Sequence, residues 1–406
     1  MNLHKCLIIF LALIALPETA SAVSRFWHQK AHIGGDARHR CTAFEIGNKG
    51  YYGGGHINSG TAITYQDYWE YDPATNSWTQ IANYGGGLRY HSSAFTIGNA
   101  AYVGCGENGS HSYTNDWWKY VPEVNTWFPI ADLPAIERRG GTAFAIDGKG
   151  YFGTGQSDDG YRIDFFSYSP ETDTWIELSE FPGEHRSAAV SFSHDGKGYV
   201  GTGHKTGSAL SDFYEYDPST DTWTTKASVG GSIRQDAMAF VIDGKGYIGT
   251  GDDSLDNDLR DVWEYDFDAD TWTQIGDFGG AKRHYATTFV IDNIVYLAGG
   301  TDGTNLKDLW AFAPTTSIEE ILLNEVQINL YPNPSTDVIT IAADIPTELQ
   351  DQLSVQITDI TGRTIFQSQV LNSPLKLYKS DFGNGIYFLN IMHNQAIVNT
   401  QKFIFN

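Results

Sequence analysis

This 406-residue sequence is short of cysteine, with three, of methionine, with three, and of positive charge, with 26 basic residues against 49 acidic ones. Each shortage excludes something. So few cysteines exclude a disulfide-built scaffold. A formal net charge of −23 repels polyanions, so neither nucleic acid nor an anionic membrane surface is expected as a partner. Long apolar runs are also missing: "CLIIFLALIAL", from Cys6, is too short to cross a bilayer, and no transmembrane segment is expected. With Lys5 before it and Ala20-Ser21-Ala22 after it, that run reads as a signal peptide over residues 1–22. Cys6 leaves with it. Cys41 and Cys105 remain, and the sequence leaves open whether they are bridged.

Glycine and aromatics are plentiful: 43 Gly, 23 Tyr, 22 Phe and 11 Trp, with only 18% charged residues. Such a composition favours short strands and tight turns over long helices. One stretch, "GKGYIGTG" at 244–251, carries the G-x-G-x-x-G spacing of a dinucleotide loop. That motif needs a helix opening directly after its glycines. Here "DDSLDNDLRDVWEYD" follows instead, and "DGKGYFGTG" (147), "DGKGYVGTG" (195), "GNKGYYGGG" (47), "GNAAYVGCG" (98) and "DNIVYLAGG" (292) repeat the stretch. Six copies are architecture, so the glycines read as a turn between strands followed by a strand that ends at a close backbone approach.

The repeat is wider than the motif. Arg38, Arg89, Arg138, Arg186, Arg234 and Arg283 each precede a Phe by six residues and a Tyr by thirteen. Asp67, Asp116, Asp164, Asp212, Asp261 and Asp308 open aromatic segments such as "DYWEYDP", and Trp78, Trp127, Trp175, Trp223 and Trp272 close the units. Four strands per unit follow, and the pattern resembles the kelch repeat, whose units are four-stranded propeller blades. The last unit lacks its Trp strand, while "RFWHQKAHIGG" at the start of the mature chain matches "NSWTQIANYGG". The expected fold is all-β: a six-bladed kelch-type propeller over 23–316, closed by an N-terminal strand.

After a linker at 317–325 the composition changes. "LYPNPSTDVITI", "VQITDITGRTIFQSQV", "GNGIYFLNI" and "QKFIFN" give short strands between Pro, Asn and Gly turns, a small Ig-like β-sandwich over 326–406. Those phrases resemble the type A sorting domain of the type IX secretion system of Bacteroidota. The resemblance implies the type IX machinery as a partner, passage across the outer membrane, and removal of the tail with release or surface anchoring.

Alternating strand direction places the six repeat arginines and the variable loops on one face, where binding chemistry belongs. An Arg in every blade suits architecture better than an asymmetric ligand. Each also shares strand parity with the Phe six positions on, so a structural ring paired with the repeat Asp residues is expected. Positions that differ between blades are the ligand-binding candidates: Arg40, His91, Glu107, Arg139, His204 and His284, with His39, Tyr90, His111, Gln235, Asp236 and Tyr285 beside them. As exposed loop residues they would matter little to stability. No metal is expected, since "DDSLDND" at 252–258 lacks an ordered ligand spacing, and no cofactor motif stands out. The expected ligand is a glycan or a protein. Kelch relatives also include sialic acid epimerases and copper-radical galactose oxidases, so an epimerase or mutarotase-like enzyme is the alternative; neither mature cysteine has the setting of the copper site.

Overall fold

The computed structural model describes residues 25–57, 63–314, 326–345, 353–368, 374–393 and 396–406. The expected signal peptide and linker lie outside the described residues. Two compact units result, one spanning Arg25–Ala313 and one covering the chain from Pro314 onward.

The first unit is a propeller of six four-stranded antiparallel sheets. Blade one shows the plan: Thr42–Ile46 innermost, then Lys49–Gly53, Tyr68–Asp72 and Ser77–Gln80. The other inner strands are Ser93–Ile97, Thr142–Ile146, Val190–His194, Met238–Ile242 and Thr287–Ile291. Each packs beside its neighbours around a central axis. In blade six, Arg25–Lys30 pairs with Leu309–Pro314 as the outermost strand, so the N-terminal segment closes the ring.

Alternation along the inner strand explains the ring. Phe44 and Ile46 are buried between blades, while Ala43 and Glu45 turn to the axis. Small side chains such as Ala43, Ala94, Ala143 and Ala239 leave a lumen of about 360 Å³. Hydroxyls tie neighbouring inner strands together: Thr96 donates to the Glu45 carbonyl at 2.8 Å, and Ser191 to that of Ala143 at 2.9 Å.

The repeated glycines now have distinct duties. Asp195 and Gly196 both have positive φ, 48° and 69°, which makes a type I′ hairpin turn. Gly198 lies flat against the preceding blade, where an added Cβ would stand 2.2 Å from the Phe144 ring. Gly50, Gly150 and Gly246 meet Phe289, Phe95 and Phe192 in the same way. The phosphate-loop spacing is therefore inter-blade packing. Gly198→Ala is expected to cost about 2–3 kcal/mol through overpacking. Gly196→Ala, with open space around it, should cost only about 1 kcal/mol for the left-handed backbone. Urea melts of the two variants check the order, and the reverse order would refute it.

The outer strands stitch blades together. Trp127 Nε1 donates to the Ala82 carbonyl at 3.1 Å and Trp175 Nε1 to that of Ala131 at 2.9 Å, each reaching the segment that leaves the preceding blade. Trp27 instead packs on Phe278 and Phe312, at 4.7 and 4.9 Å between ring centroids.

The second unit is a β-sandwich. One sheet holds Gln327–Tyr331, Val338–Asp344 and Leu375–Tyr378; the other holds Thr364–Ser368, Leu353–Asp359, Gly385–His393 and Ala396–Phe405. Ile339, Ile341, Val355, Ile357, Leu389 and Phe403 form its dry centre. The sequence phrases mark its joints. Asn333 of "YPNPS" pins the last strand, donating to the Lys402 carbonyl at 2.8 Å and accepting from Ile404 N at 3.1 Å. Asp359 Oδ1 accepts the N–H groups of Thr361 and Arg363, at 2.9 and 3.1 Å, shaping the turn at Gly362.

Candidate functional site

The six repeat arginines are almost wholly buried, between 0% and 4% exposed. Each guanidinium forks onto both carboxylate oxygens of the Asp that leads into the third strand of its own blade, at 2.5–3.1 Å. Its Nη1 also donates to the backbone carbonyl just past the second strand, as Arg186 does to Thr202 at 2.8 Å. The main chain of the same residue reaches the preceding blade: Gly55 N donates to the Arg89 carbonyl and Arg89 N to that of Tyr65. Side chain and backbone thus serve different neighbours.

Two sequence expectations need correction. The arginines do not share a strand with the Phe six residues on, because the chain between them passes through a left-handed residue two positions after each Arg: Arg40 (φ 55°), His91 (55°), Gly140 (61°), Ala188 (55°), Asp236 (50°) and Tyr285 (56°). Parity does not carry across such a kink; the Asp pairing is what orients the side chains. Nor are the candidate residues simply exposed. Glu107 is 5% exposed, and His91, Arg139 and His284 are partly covered.

The six left-handed residues form the mouth of the channel. Five of them hand their carbonyl to the next blade: His91 N donates to Arg40 O, Gly140 N to His91 O, Ala188 N to Gly140 O, Asp236 N to Ala188 O and Tyr285 N to Asp236 O, at 2.8–3.2 Å. The side chains on this belt are unequal. Arg40 Nη2 donates to the Tyr285 hydroxyl and its guanidinium lies 4.2 Å above that ring. His91 Nε2 stands 3.5 Å from Asp236 Oδ1, and its ring meets Tyr285 edge-on. Gly140 and Ala188 contribute almost nothing, so the belt is crowded on four blades and open on two. A cavity of about 140 Å³ lies there, bordered by His91, Gly140, Ala188 and Asp236 among others. Arg40 Nε and His91 Nδ1 are buried without a hydrogen-bond partner, the kind of orphan atoms that recur at working sites.

Outside the belt runs a second tier, built from the residue after each Arg and the one seventeen further on. Short bridges join His39 to His56, Tyr90 to Glu107, Arg139 to Gln156, Ser187 to His204, Gln235 to Asp252 and His284 to Thr301. Glu107 binds Arg139 and lies 3.1 Å from His111 Nδ1. Burial would raise the Glu107 pKa, but bonds from Tyr90 and His111 and the Arg139 charge take it below the usual range. Arg139 also donates to Gln156 Oε1 at 3.2 Å. His204 Nδ1 meets the Tyr161 hydroxyl at 2.8 Å, and His284 Nδ1 meets Asp258 Oδ1 at 2.5 Å. Burial lowers the His39 pKa to about 4 and that of His56 still further, and their Nε2 atoms stand 2.9 Å apart. Burial, with Asp236 adding to it, raises the Asp252 carboxyl to about 6.

Of the six predicted ligand-binding residues, Arg40 and His91 therefore stand on the belt, and Glu107, Arg139, His204 and His284 on the tier around it. Sequence reasoning passed over His56, Gln156 and Asp252 as site residues. Their signal was present: each directly follows the glycine pair or Thr-Gly that ends the second strand, at a constant distance from the repeat Arg. "DDSLDND" divides its acids: Asp253 Oδ1 accepts the N–H groups of Leu255 and Asn257, Asp258 pairs with His284, and Asp252 faces Gln235 Nε2 at 2.9 Å. Among the described residues no three His, Cys, Asp or Glu side chains converge as a metal site would require, and Cys41 and Cys105 are both free thiols.

Comparison with known proteins accords with this fold. Residues 38–234 match the KLHDC2/KLHL20/DRC7 Kelch-repeats domain, residues 282–318 the Kelch motif, and residues 329–406 the secretion system C-terminal sorting domain. No curated protein matches the sequence. The solved structure of YjhT is similar at 19% identity with a TM-score of 0.57, covering 69% of this chain and 95% of that one. That likeness speaks for the propeller fold alone.

Proposed function

Because the chain is a kelch-repeat propeller carrying a C-terminal type IX sorting domain, which implies secretion or display at the cell surface, we propose that it is an extracellular binding protein. It takes a glycan in the funnel above the channel mouth. One observation carries this reading: blades built to a single plan diverge in polarity and size at the belt and tier around the channel mouth. Architecture does not require that variety; recognition of an asymmetric ligand does. Hydroxyl, imidazole, carboxylate and guanidinium groups around tyrosine faces suit a polyhydroxylated ring. A protein loop seated in the same funnel is the other outcome a test can return.

His91→Ala and Arg139→Ala are each expected to weaken binding at least tenfold on a glycan array followed by titration calorimetry. Lys197→Ala, on the hairpin-turn face where Lys197 pairs with Asp217, should leave binding unchanged. Loss of binding in Lys197→Ala alone would move the site to the opposite face and sink the assignment.

A second reading, a sugar epimerase or mutarotase, is favoured by the imidazole–carboxylate pair of His91 and Asp236 at the axis, since such reactions need a proton donor and acceptor together. Exchange spectroscopy on free sugars, with and without the protein, separates catalysis from binding.

A further inference from the structure

Resting on the glycan-binding reading, we infer that the funnel selects neutral saccharides and rejects those ending in a carboxylate, such as uronic or sialic acids. Arginine in a sugar site ordinarily suggests an acidic ligand, because guanidinium grips carboxylate bidentately. Here both funnel arginines are already engaged by the chain itself. Arg139 is spent on Glu107 and Gln156; Arg40 gives one N–H to the Tyr285 hydroxyl and lies over that ring, keeps its buried Nε without a partner, and has its charge offset by the chain's own Asp236. Three histidines around them add no charge at neutral pH. His39 and His56 are held neutral by burial, and His91 is pushed the same way against the pull of Asp236.

The acids are placed differently. Asp236 borders the open part of the belt, with Asp252 in the tier beyond it and Asp258 bridged to Asp252 on the same blade. Two fixed cations, Arg40 and Arg139, thus face at least three carboxylates, those of Glu107, Asp236 and Asp258. An incoming carboxylate would have to displace Glu107 from Arg139, or compete with Asp236 for Arg40. Like charges in a partly dry cavity repel strongly. A neutral ring meets no such barrier. It brings hydroxyl donors to Asp236, its flat face can lie over Gly140 and Ala188, and Tyr285 stands beside the opening.

The experiment uses the whole protein and an array of matched glycans sharing one core, ending in a neutral hexose, an N-acetylhexosamine, a uronic acid or a sialic acid. Affinity for the best neutral terminus is expected to exceed that for its acid-ending counterpart by tenfold or more. Asp236→Asn should narrow that gap at least threefold by strengthening the acid-ending probes, with an unchanged melting temperature excluding misfolding. Equal or tighter binding of acid-ending probes to the unaltered protein overturns the inference while leaving glycan binding intact. An unchanged gap in a folded Asp236→Asn overturns the role given to that carboxylate. If no glycan binds, the underlying reading fails, and this inference with it.

Discussion

Removal of residues 25–30 is expected to lower the melting temperature by about 8 °C or more and to make the protein aggregate on warming. Those residues are the outermost strand of blade six, though they lie some 280 positions from its other strands in sequence. Two losses combine. Trp27 leaves the cleft it shares with Phe278 and Phe312, and because it is only partly buried the loss is about 2–3 kcal/mol, below that of a fully buried ring. The strand Leu309–Pro314 would also be left as an open edge, ready to pair with another molecule. At about 2 °C per kcal/mol for a unit of this size, the first loss alone gives half of the shift or more. Calorimetry with light scattering reads both effects. Trp27→Ala should reproduce that part of the melting shift with less aggregation, since it keeps the strand. A deletion that melts at the temperature of the intact protein would contradict closure by this strand.

Arg186→Ala is expected to cost about 3 kcal/mol. The side chain is fully buried and has four acceptors: both oxygens of Asp212 at 2.5 and 2.6 Å, and the carbonyls of Thr202 and Glu184 at 2.8 and 2.9 Å. Removing one partner of a buried pair costs about 3–5 kcal/mol. Asp212 keeps some access to water, with 27% of its side chain exposed, which places the loss at the lower end. Arg186→Lys should recover only part of it, because an ammonium cannot form the fork. The same pairs set the acid limit. At Asp67, Asp116, Asp261 and Asp308, burial raises the pKa, but hydrogen bonds and charge from the partner arginine more than offset it, so each lies below the usual value. A carboxyl with a depressed folded pKa contributes stability above its unfolded pKa, near 4, and loses it as pH falls through the folded value. Melting temperatures between pH 5 and pH 2 should therefore decline below about pH 4. Arg234→Ala should lower stability at neutral pH and flatten the decline, since Asp261 then loses the partner that depresses it.

What the sequence disclosed and what it withheld divide along a physical line. Blade number, strand order and closure by Trp27 were legible because the same duty recurs in each blade and demands the same residue: Phe beside glycine, Trp reaching back, Arg on Asp. The sandwich was legible from its joints, Asn333 and Asp359 among them. The left-handed residue after each Arg was not. Its occupants are Arg, His, Gly, Ala, Asp and Tyr, and a position fixed by backbone bonds between neighbouring blades leaves no common side chain to notice. The burial of Glu107 was hidden for a related reason: a short bridge to Tyr90 draws it inward, whereas loop composition alone suggests solvent.

The belt of carbonyl-to-amide bonds around the axis also bears on how this protein can change over generations. Its hold on the channel mouth comes from the main chain, so the six outward letters it displays can be rewritten one at a time without endangering the ring. At the five non-glycine positions a substitution replaces one left-handed side chain by another, while a Cβ added at Gly140 would stand 3.0 Å from the His91 ring on top of roughly 1 kcal/mol of left-handed strain. Lineages that inherit such a hoop can vary the residues shown at the channel mouth while keeping the same body, and a library randomised at Arg40, His91, Gly140, Ala188, Asp236 and Tyr285 should be rich in folded members.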